Sequence, residues 1–170
     1  MRVELVQLSR SALAALALGD RAAAERMTEF GLTDYMMSAW RSTWRRRAAQ
    51  LNADPLSAAW ITRLVLDPSR GLVVGRAGFH GPPDEDGRVE IGYAIDPIFR
   101  RQGYGRAAVT ELLNWARSEH SVAIVRATVR TDNTASWRVL APWPFKRVGE
   151  QWDDEDGLET IIELTKNDLT

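Results

Sequence analysis

Apolar and polar positions alternate with different periods along the chain, and each period predicts a type of element. Near the start, Val3, Leu5 and Leu8 lie in an alternating pattern that predicts a first strand. Two helical periods follow over residues 11–18 and 20–30, and the second begins with an aspartate that we expect to serve as its N-cap. The first part of the chain is therefore predicted to be a strand followed by helices.

A longer helix is predicted to begin at Thr33, whose hydroxyl suits an N-cap. Apolar side chains form one stripe along it, namely Met37, Trp40, Trp44, Ala48 and Leu51. We expect this stripe in the core rather than at a substrate surface. Arg45, Arg46 and Arg47 lie mostly off the stripe and are predicted to form a solvated face. The helix is expected to end near residues 53–55.

Strand and helix patterns alternate in the second half of the chain. The predicted elements are a hairpin over 60–81 that turns at 67–71, a strand over 88–95, a helix over 103–118, a strand over 121–130, a short helix over 133–140, and a last hairpin around Asp156 and Gly157. The order predicts an α/β chain with an early helical insertion and a strand–helix–strand centre.

Composition and charge narrow the function classes. The 22 basic and 23 acidic residues nearly cancel, so bulk charge favours neither nucleic acid nor an anionic membrane as a partner. The absence of cysteine excludes disulfides, thiolate nucleophiles and Cys-based metal sites. His80 and His120 are too few for most metal cages, so no metal is expected. No apolar run approaches the roughly 20 residues that span a bilayer.

One segment resembles a targeting signal. In "LSRSALAALALGDRAAA" an arginine precedes a short apolar run that small residues follow. The segment "RVELVQL" ahead of it reads as a strand, however, and Glu4 is out of place in a signal. We therefore expect a cytoplasmic protein.

The segment "RRQGYGR", residues 100–106, joins a predicted strand to a predicted helix. The first turn of a helix leaves about four N–H groups without partners and carries a partial positive charge, and such places bind anions. Gly103 and Gly105 keep side chains away from these N–H groups, and the three arginines of the segment add positive charge. The segment predicts a binding site for a phosphate or pyrophosphate.

Other interpretations of this segment are weaker. Gly103, Gly105 and Ala108 also fit the Gly-x-Gly-x-x-Ala form of the dinucleotide fingerprint, but the next strand, "VAIVRATV", lacks the acidic residue that would hold a ribose. A nucleotide triphosphate loop is excluded because no Gly-Lys-Ser/Thr follows. A plain glycine turn with solvated arginines is the remaining alternative.

Two blocks of the sequence carry a family resemblance. "RRQGYG", after "IGYAIDP" and before a helix, resembles the Arg/Gln-x-x-Gly-x-Gly/Ala signature of the GNAT acyltransferase superfamily. "NTASWRVL" resembles the Asn-x-x-Ala/Ser segment of the same superfamily. The resemblance covers roughly residues 72–164 and is strongest to the branch that includes ribosomal-protein N-terminal acetyltransferases.

The resemblance implies a fold and a co-substrate. The expected fold is α/β, layered as α+β, with a central mixed, mostly antiparallel sheet of about seven strands that is splayed at the cofactor site and flanked by helices. Residues 1–170 would form a single N-acetyltransferase domain with its cofactor-binding core at about 72–164. The co-substrate would be acetyl-CoA, without a metal.

Particular positions then acquire expected roles. Backbone amides of residues 101–106 would hold the pyrophosphate, strand residues would offer backbone groups to the pantetheine arm and the thioester carbonyl, and two residues of the second block would lie beside the arm. The cofactor-binding residues implied are Ala94, Ile95, Arg100, Arg101, Gln102, Gly103, Tyr104, Gly105, Arg106, Asn133 and Ser136.

Glu90 is the candidate general base. Strand alternation puts Glu90, Gly92 and Ala94 on one face, where the small residues leave room beside the carboxylate. We expect Glu90 to act on the incoming amine through a water molecule, with a merely solvated carboxylate as the alternative. His80 is a second candidate base, or else a loop histidine.

The family pattern fails at one position. Many members carry a tyrosine seven residues after the Asn, but the count from Asn133 reaches Leu140. No general acid is therefore assigned, and water or Tyr93 would protonate the departing thiolate. A thiol of pKa about 8.5 lies only roughly 1.5 units above neutral pH, a shortfall of about 2 kcal/mol.

The sequence thus predicts an N-acetyltransferase that transfers an acetyl group from acetyl-CoA directly to a primary amine, either a protein N-terminus or a small amine. An N-terminal amine, with pKa near 7.8, is neutral far more often than lysine, which favours the former acceptor. The main alternative is a non-catalytic acyl-CoA-binding sensor of the same fold, and a structural protein without a nucleotide site is weaker. A homodimer is one expected state; neither nucleic acid nor membrane is an expected partner.

Overall fold

The structure, a computed structural model, describes residues 2–154 and 157–168. In chain order its elements are β1 (Glu4–Val6), α1 (Arg10–Leu18), α2 (Arg21–Thr28), α3 (Asp34–Ser38), α4 (Arg41–Ala53), β2 (Arg63–Asp67), β3 (Leu72–Phe79), β4 (Arg88–Ile95), α5 (Tyr104–Ser118), β5 (Ile124–Arg130), α6 (Thr134–Leu140), β6 (Lys146–Asp153) and β7 (Gly157–Thr165). Short 3-10 helices cover Pro55–Ala59, Pro97–Phe99 and Lys166–Asp168.

The strands form one mixed sheet in the order β1-β2-β3-β4-β5-β7-β6. Neighbouring strands run antiparallel except β4 and β5, which are parallel and are connected through α5. Seven strands, mostly antiparallel and flanked by helices, confirm the predicted fold.

The sheet is splayed between β4 and β5. These strands pair only over three residues, Arg88–Glu90 against 124–126. Beyond Glu90, β4 keeps its pairing with β3 through Ile95, whereas β5 continues to pair with β7. A gap therefore opens in the middle of the sheet on the C-terminal side of Glu90.

Each face of the sheet carries a separate apolar core. On one face α5 packs against β3 and β4, with Val89, Ile91 and Leu112 among the buried residues. On the other face α1 to α4 pack against β2 and β3, with Leu16 and Trp44 fully buried. The strand alternation predicted for β4 is thus followed, since its apolar side chains point to α5 and Glu90 points to the helical insertion.

The segment that resembles a targeting signal folds into α1 and α2. Leu13 and Leu16 are buried in the second core, so this segment is part of the packed structure. The Ser9 hydroxyl accepts from the N–H of Ala12, and Asp20 caps α2 as predicted. No helix within the described residues is both long and apolar enough to cross a bilayer.

The prediction of one long helix from Thr33 is wrong. Thr33 does cap a helix, but this helix, α3, is only five residues long, and a new helix begins after Trp40. In a continuous helix the carbonyl of Met36 would accept the N–H of Trp40. Here the indole Nε1 of Trp44 donates to that carbonyl at 3.0 Å instead, which links α4 to α3 across the break.

The remaining boundaries agree with the sequence patterns. The predicted hairpin over 60–81 appears as β2 and β3, and the predicted strand over 88–95 matches β4. The last hairpin appears as β6 and β7. Gly157, with φ of 76°, begins β7, whereas Asp156 of the predicted turn lies outside the described residues.

Candidate active site at the gap between two strands

The gap leaves backbone groups of β4 without a strand partner. The N–H of His80 donates to the carbonyl of Glu90 at 2.8 Å, and the N–H of Asp96 donates to the carbonyl of Val74 at 3.1 Å. Antiparallel ladders alternate, so residues 90, 92, 94 and 96 turn their backbone groups toward β3. The backbone groups of Tyr93 and Ile95 then face the gap.

Ala94 and Ile95, the two β4 residues expected to bind a cofactor through their backbones, differ in the direction of their backbone groups. Ala94 uses its N–H and carbonyl in the ladder with β3 and meets the gap with its methyl group. The carbonyl of Ile95 accepts from Nε of Arg100 at 3.0 Å, which leaves its N–H directed into the gap. Tyr93, by contrast, turns both backbone groups toward the gap.

A cleft of about 690 Å³ occupies the gap. Its lining residues are Tyr93, Ala94, Ile95, Phe99, Arg100, Arg101, Tyr104, Gly105, Asn133, Thr134, Ala135, Ser136, Arg138 and Val139. Eight of the eleven predicted cofactor-binding residues are among them. The other three, Gln102, Gly103 and Arg106, belong to the same turn and helix start but do not line the cleft.

The turn before α5 presents an unpaired row of N–H groups. Arg101 and Gly103 adopt left-handed backbone conformations, with φ of 61° and 91°. The N–H groups of residues 101–106 donate no hydrogen bond to any described residue. Gly105 brings the helix start close to α6, because a Cβ there would lie 3.3 Å from Cγ2 of Val139. The arrangement is that of an anion site at a helix N-terminus.

The side chain of Tyr104 points away from this row. Its hydroxyl donates to Oδ2 of Asp67 at 2.6 Å, and both residues are buried. Hydrogen bonds from Ser69 and then Tyr104 lower the pKa of Asp67, and the same bond to Asp67 raises the pKa of Tyr104. Only the backbone of Tyr104 is available to a ligand, while its side chain anchors the start of α5 to β2.

The opposite wall of the cleft is the first turn of α6. Oδ1 of Asn133 accepts the N–H of Ser136 at 3.0 Å, so Asn133 caps this helix. Leu140, which stands at the position of the family tyrosine, is buried. The cleft-lining residues Thr134, Arg138 and Val139 were not predicted from the sequence, and only their helical spacing from Asn133 pointed to them.

Tyr93 is one of the residues that line the cleft. Its Oη is buried and makes no hydrogen bond of good geometry with any residue that the structure describes. Burial raises the pKa of Tyr93, and the neighbouring Ser136 opposes this rise. The phenol is therefore protonated at neutral pH and has a proton to donate.

Glu90 and His80 lie side by side where β4 and β5 part. Oε1 of Glu90 accepts from Oγ1 of Thr128 at 2.7 Å and lies 3.5 Å from Nδ1 of His80. Gly92 leaves room for the imidazole, because a Cβ there would lie 2.8 Å from Nε2 of His80. The Glu90 side chain is 28% exposed and held by its partner, so it is not a freely solvated carboxylate.

His80 is about half exposed, yet its surroundings still lower the pKa of its imidazole. Desolvation is the largest effect and lowers the pKa of His80, Glu90 opposes it, and the guanidinium of Arg47 lowers the pKa further. His80 lies just after β3, outside any helix or strand, as the loop interpretation predicts. The pairing of His80 with Glu90 depends on the register between β3 and β4, which no local sequence pattern specifies.

The prediction of a solvated face for Arg45 to Arg47 fails at Arg47. Arg47 is only 6% exposed; its Nε donates to Oγ1 of Thr62 at 3.1 Å, and its Nη1 donates to the carbonyl of His80 at 2.9 Å. Within α4, Arg47 lies three residues after Trp44 and four residues before Leu51, so it belongs to the buried face of the helix. Arg47 thereby fixes the end of β3 next to Glu90.

No metal site competes with this interpretation. Among residues 2–154 and 157–168, no group of three or more His, Asp or Glu side chains is arranged to hold a metal ion.

Comparison with known proteins agrees with this geometry. The acetyltransferase (GNAT) domain family matches residues 2–143. N-alpha-acetyltransferase RimI of Mycobacterium tuberculosis is 34% identical over 122 residues, which cover 61% of this chain and 73% of that protein. The uncharacterized N-acetyltransferase YjdG of Bacillus subtilis is 43% identical over 73 residues, which cover 43% of this chain and 44% of that protein.

The matched lengths are short for several relatives. The chain spans 44%, 44% and 52% of three curated relatives, about half of each or less. Among solved structures, Mycobacterium smegmatis RimJ in complex with CoA-disulfide superposes with a TM-score of 0.69 at 20% identity. That superposition covers 98% of this chain and 83% of the other, and at this identity it shows a shared fold.

Proposed function

The chain belongs to the GNAT acetyltransferase family, and on that premise we propose that it is an N-acetyltransferase that transfers an acetyl group from acetyl-CoA to a primary amine. The observation that carries the proposal is the cleft in the sheet, with a row of unpaired N–H groups at the start of α5 on one side and a carboxylate where the strands part. The whole chain, 1–170, acts as one domain, with its cofactor-binding core at about 72–164.

The residues present fit acetyl-CoA. The N–H groups of residues 101–106 bind the pyrophosphate, and Arg100, Arg101 and Arg106 add charge around it. The backbone of Tyr93 and the N–H of Ile95 bind the pantetheine arm as a neighbouring strand would. Ala94, Asn133 and Ser136 line the arm along the cleft.

Acetyl-CoA supplies an activated acetyl group, and this chain manages the protons. A bond forms between the amine nitrogen and the acetyl carbon while the carbon–sulfur bond breaks, giving an amide and free CoA. Glu90, through a water molecule, accepts the proton that the amine loses. Tyr93 donates the proton that the departing sulfur gains, since its raised pKa keeps the hydroxyl protonated.

His80 assists Glu90, the proposed general base. It is neutral at pH 7 because burial lowers its pKa, and it lies 3.5 Å from Glu90. A neutral imidazole there orients the Glu90 carboxylate and serves as an alternative proton acceptor. The amine approaches from the face that carries both residues, which is the face of the helical insertion.

Calorimetry and turnover together test the proposal. Titration of CoA into the protein is expected to give saturable heat, and acetyl-CoA with a panel of amines and peptides is expected to release CoA thiol. No heat and no thiol release would refute the proposal.

A second candidate function rests on Leu140. Because a buried leucine replaces the family tyrosine, the fold would also suit a sensor that binds acyl-CoA without turnover. Saturable heat without thiol release for any amine would favour this sensor. The cytoplasm is the proposed compartment, and a homodimer the proposed assembly to be tested by light scattering.

A further inference from the structure

Three arginines on the amine side of the site have no role in the mechanism above. Arg46 and Arg47 belong to α4, and Arg76 lies on β3 opposite Ala94. The side chain of Arg47 reaches the end of β3, where its Nη1 donates to the carbonyl of His80, four residues after Arg76. Charge repulsion from Arg47 and Arg46 also lowers the pKa of Arg76. We call this group the arginine cluster.

The arginine cluster lacks counter-charges. No carboxylate of the described residues lies within 4.0 Å of any of its three guanidinium groups. Elsewhere on the sheet the opposite holds, because Arg88 and Arg126 share Oε1 of Glu163 at 2.9 and 2.7 Å. The cluster is thus a local excess of positive charge in a chain whose overall charge is close to zero.

Arg76 is the least satisfied member. Its Nε is buried without a hydrogen-bond partner, and none of its nitrogens donates to a described residue. Its guanidinium instead packs over the ring of Trp40, 5.5 Å from the ring centroid. Burial and the neighbouring arginines lower its pKa to about 10, so Arg76 remains charged at neutral pH. Arg76 as a whole is half-buried, but a buried Nε that no described residue accepts from is costly unless an anion binds it.

The position of Arg76 relates it to the reacting centre. His80 directly follows β3 and continues its hydrogen-bond ladder with β4, four residues after Arg76 and about 13 Å from it between Cα atoms. On β4 the facing residues are Ala94 and Glu90, and only Gly92 lies between them. The space between Glu90 and Arg76 is therefore free of long β4 side chains, so a molecule whose amine lies at Glu90 has room to extend toward Arg76.

On the basis of the acetyltransferase function above, we propose that the acceptor amine also carries a carboxylate, which binds the guanidinium of Arg76. A guanidinium presents paired donors that match a carboxylate, and the Trp40 ring holds it in one plane. The same charge repels polyamines, so the cluster also excludes acceptors whose second end is a cation. The positive charges of Arg46 and Arg47 strengthen both the attraction of a carboxylate and the repulsion of a second cation.

The carboxylate has two sources, a free amino acid or a peptide with an acidic residue next to its N-terminus. The test therefore uses matched pairs that differ only in that group: alanine against alaninamide, and the amidated peptides Ala-Asp-Ala against Ala-Asn-Ala. Spermidine is the cationic comparison. We expect the carboxylate member of at least one pair to have the higher kcat/KM, by about 30-fold or more.

Variants separate recognition from stability. Arg76→Gln is expected to remove the preference by raising KM for the carboxylate member only, with the amide member and CoA affinity unchanged. Arg76→Lys should restore part of the preference. Arg117→Gln, an exposed arginine on α5, is the control and should change nothing. Because the preference is measured first in the unaltered protein, the test does not depend on Arg76→Gln folding.

Several outcomes would overturn the proposal. Equal or better turnover of the amides or of spermidine would do so, and so would an equal loss for both members of a pair in Arg76→Gln. CoA binding without turnover of any acceptor would refute the enzyme proposal instead. In that case calorimetry of alanine and alaninamide with the CoA-loaded protein still decides: preferential binding of alanine supports the carboxylate site, and no preference refutes it.

Discussion

Replacing Glu90 with glutamine removes a charge and little else. The amide is isosteric and can still accept from Oγ1 of Thr128, the bond that holds the side chain at 2.7 Å. Any fall in kcat of the Glu90→Gln variant therefore measures the contribution of proton acceptance by the carboxylate. General-base catalysis contributes about 10²–10⁴ in rate, so kcat should fall by that factor, equivalent to about 3–5 kcal/mol in the barrier. Acetyl-CoA affinity should stay within a few-fold, because Glu90 does not line the cleft.

His80 limits how large this loss becomes. Glu90 raises the pKa of His80, so removing the carboxylate lowers that pKa further and leaves the imidazole neutral to lower pH. In Glu90→Gln the imidazole is then available as the base, 3.5 Å away. The double variant with His80→Gln should lose more than the Glu90 variant alone, and the two losses should not add.

Steady-state release of CoA thiol between pH 6 and 9 is the assay, with calorimetry of CoA as the binding measurement. Glu85→Gln, an exposed carboxylate in the loop before β4, is the matched control. A Glu90→Gln enzyme with an unchanged kcat and pH profile would show that the proton leaves by another route, and Glu90 would then have no role in the reaction.

Other predictions follow from single contacts. Tyr93→Phe should lower kcat by at most about 30-fold, because a thiol of pKa about 8.5 leaves a shortfall of only about 2 kcal/mol. The melting temperature should not fall, since the buried hydroxyl makes no hydrogen bond of good geometry with a described residue. An unchanged kcat would exclude Tyr93 as the acid. Gly105→Val should weaken CoA binding, measured by calorimetry, at least about tenfold, because the valine side chain would press on Val139. An unaltered affinity for CoA would contradict the proposed position of the pyrophosphate. Because the pKa of His80 is lowered in the folded state, the unfolded state binds more protons just below about pH 6.5, and stability to urea should rise with pH there. His80→Gln should flatten this rise. If the variant and the unaltered protein show the same dependence on pH, His80 is not the cause of the rise.

The parts of the site that the sequence predicted are the local ones. The turn at residues 101–106 and the helix after it are marked by two glycines and a helical period, which act within a few residues of each other. The strand alternation around Glu90 likewise needed no distant contact. The family resemblance extended these local signals to the order of the strands.

The parts that the sequence did not predict depend on distant contacts. At the break between α3 and α4 the indole of Trp44 donates to the carbonyl of Met36, a contact that helical periodicity does not indicate. The burial of Arg47 likewise depends on distant partners, namely Thr62 and the carbonyl of His80. The pairing of His80 with Glu90 needed the register of β3 on β4, which only the packed sheet defines.

The parting of β4 and β5 gives the molecule two strand edges in its interior. Exposed edges invite another strand to add, and most proteins shield them at the rim of a sheet. Here the edges face each other across the cleft, where α6 and the turn before α5 deny access to a second protein chain. If β4 and β5 paired over a few more residues than the three they share, the gap would close. The sheet would then be continuous and would have no cleft for a ligand.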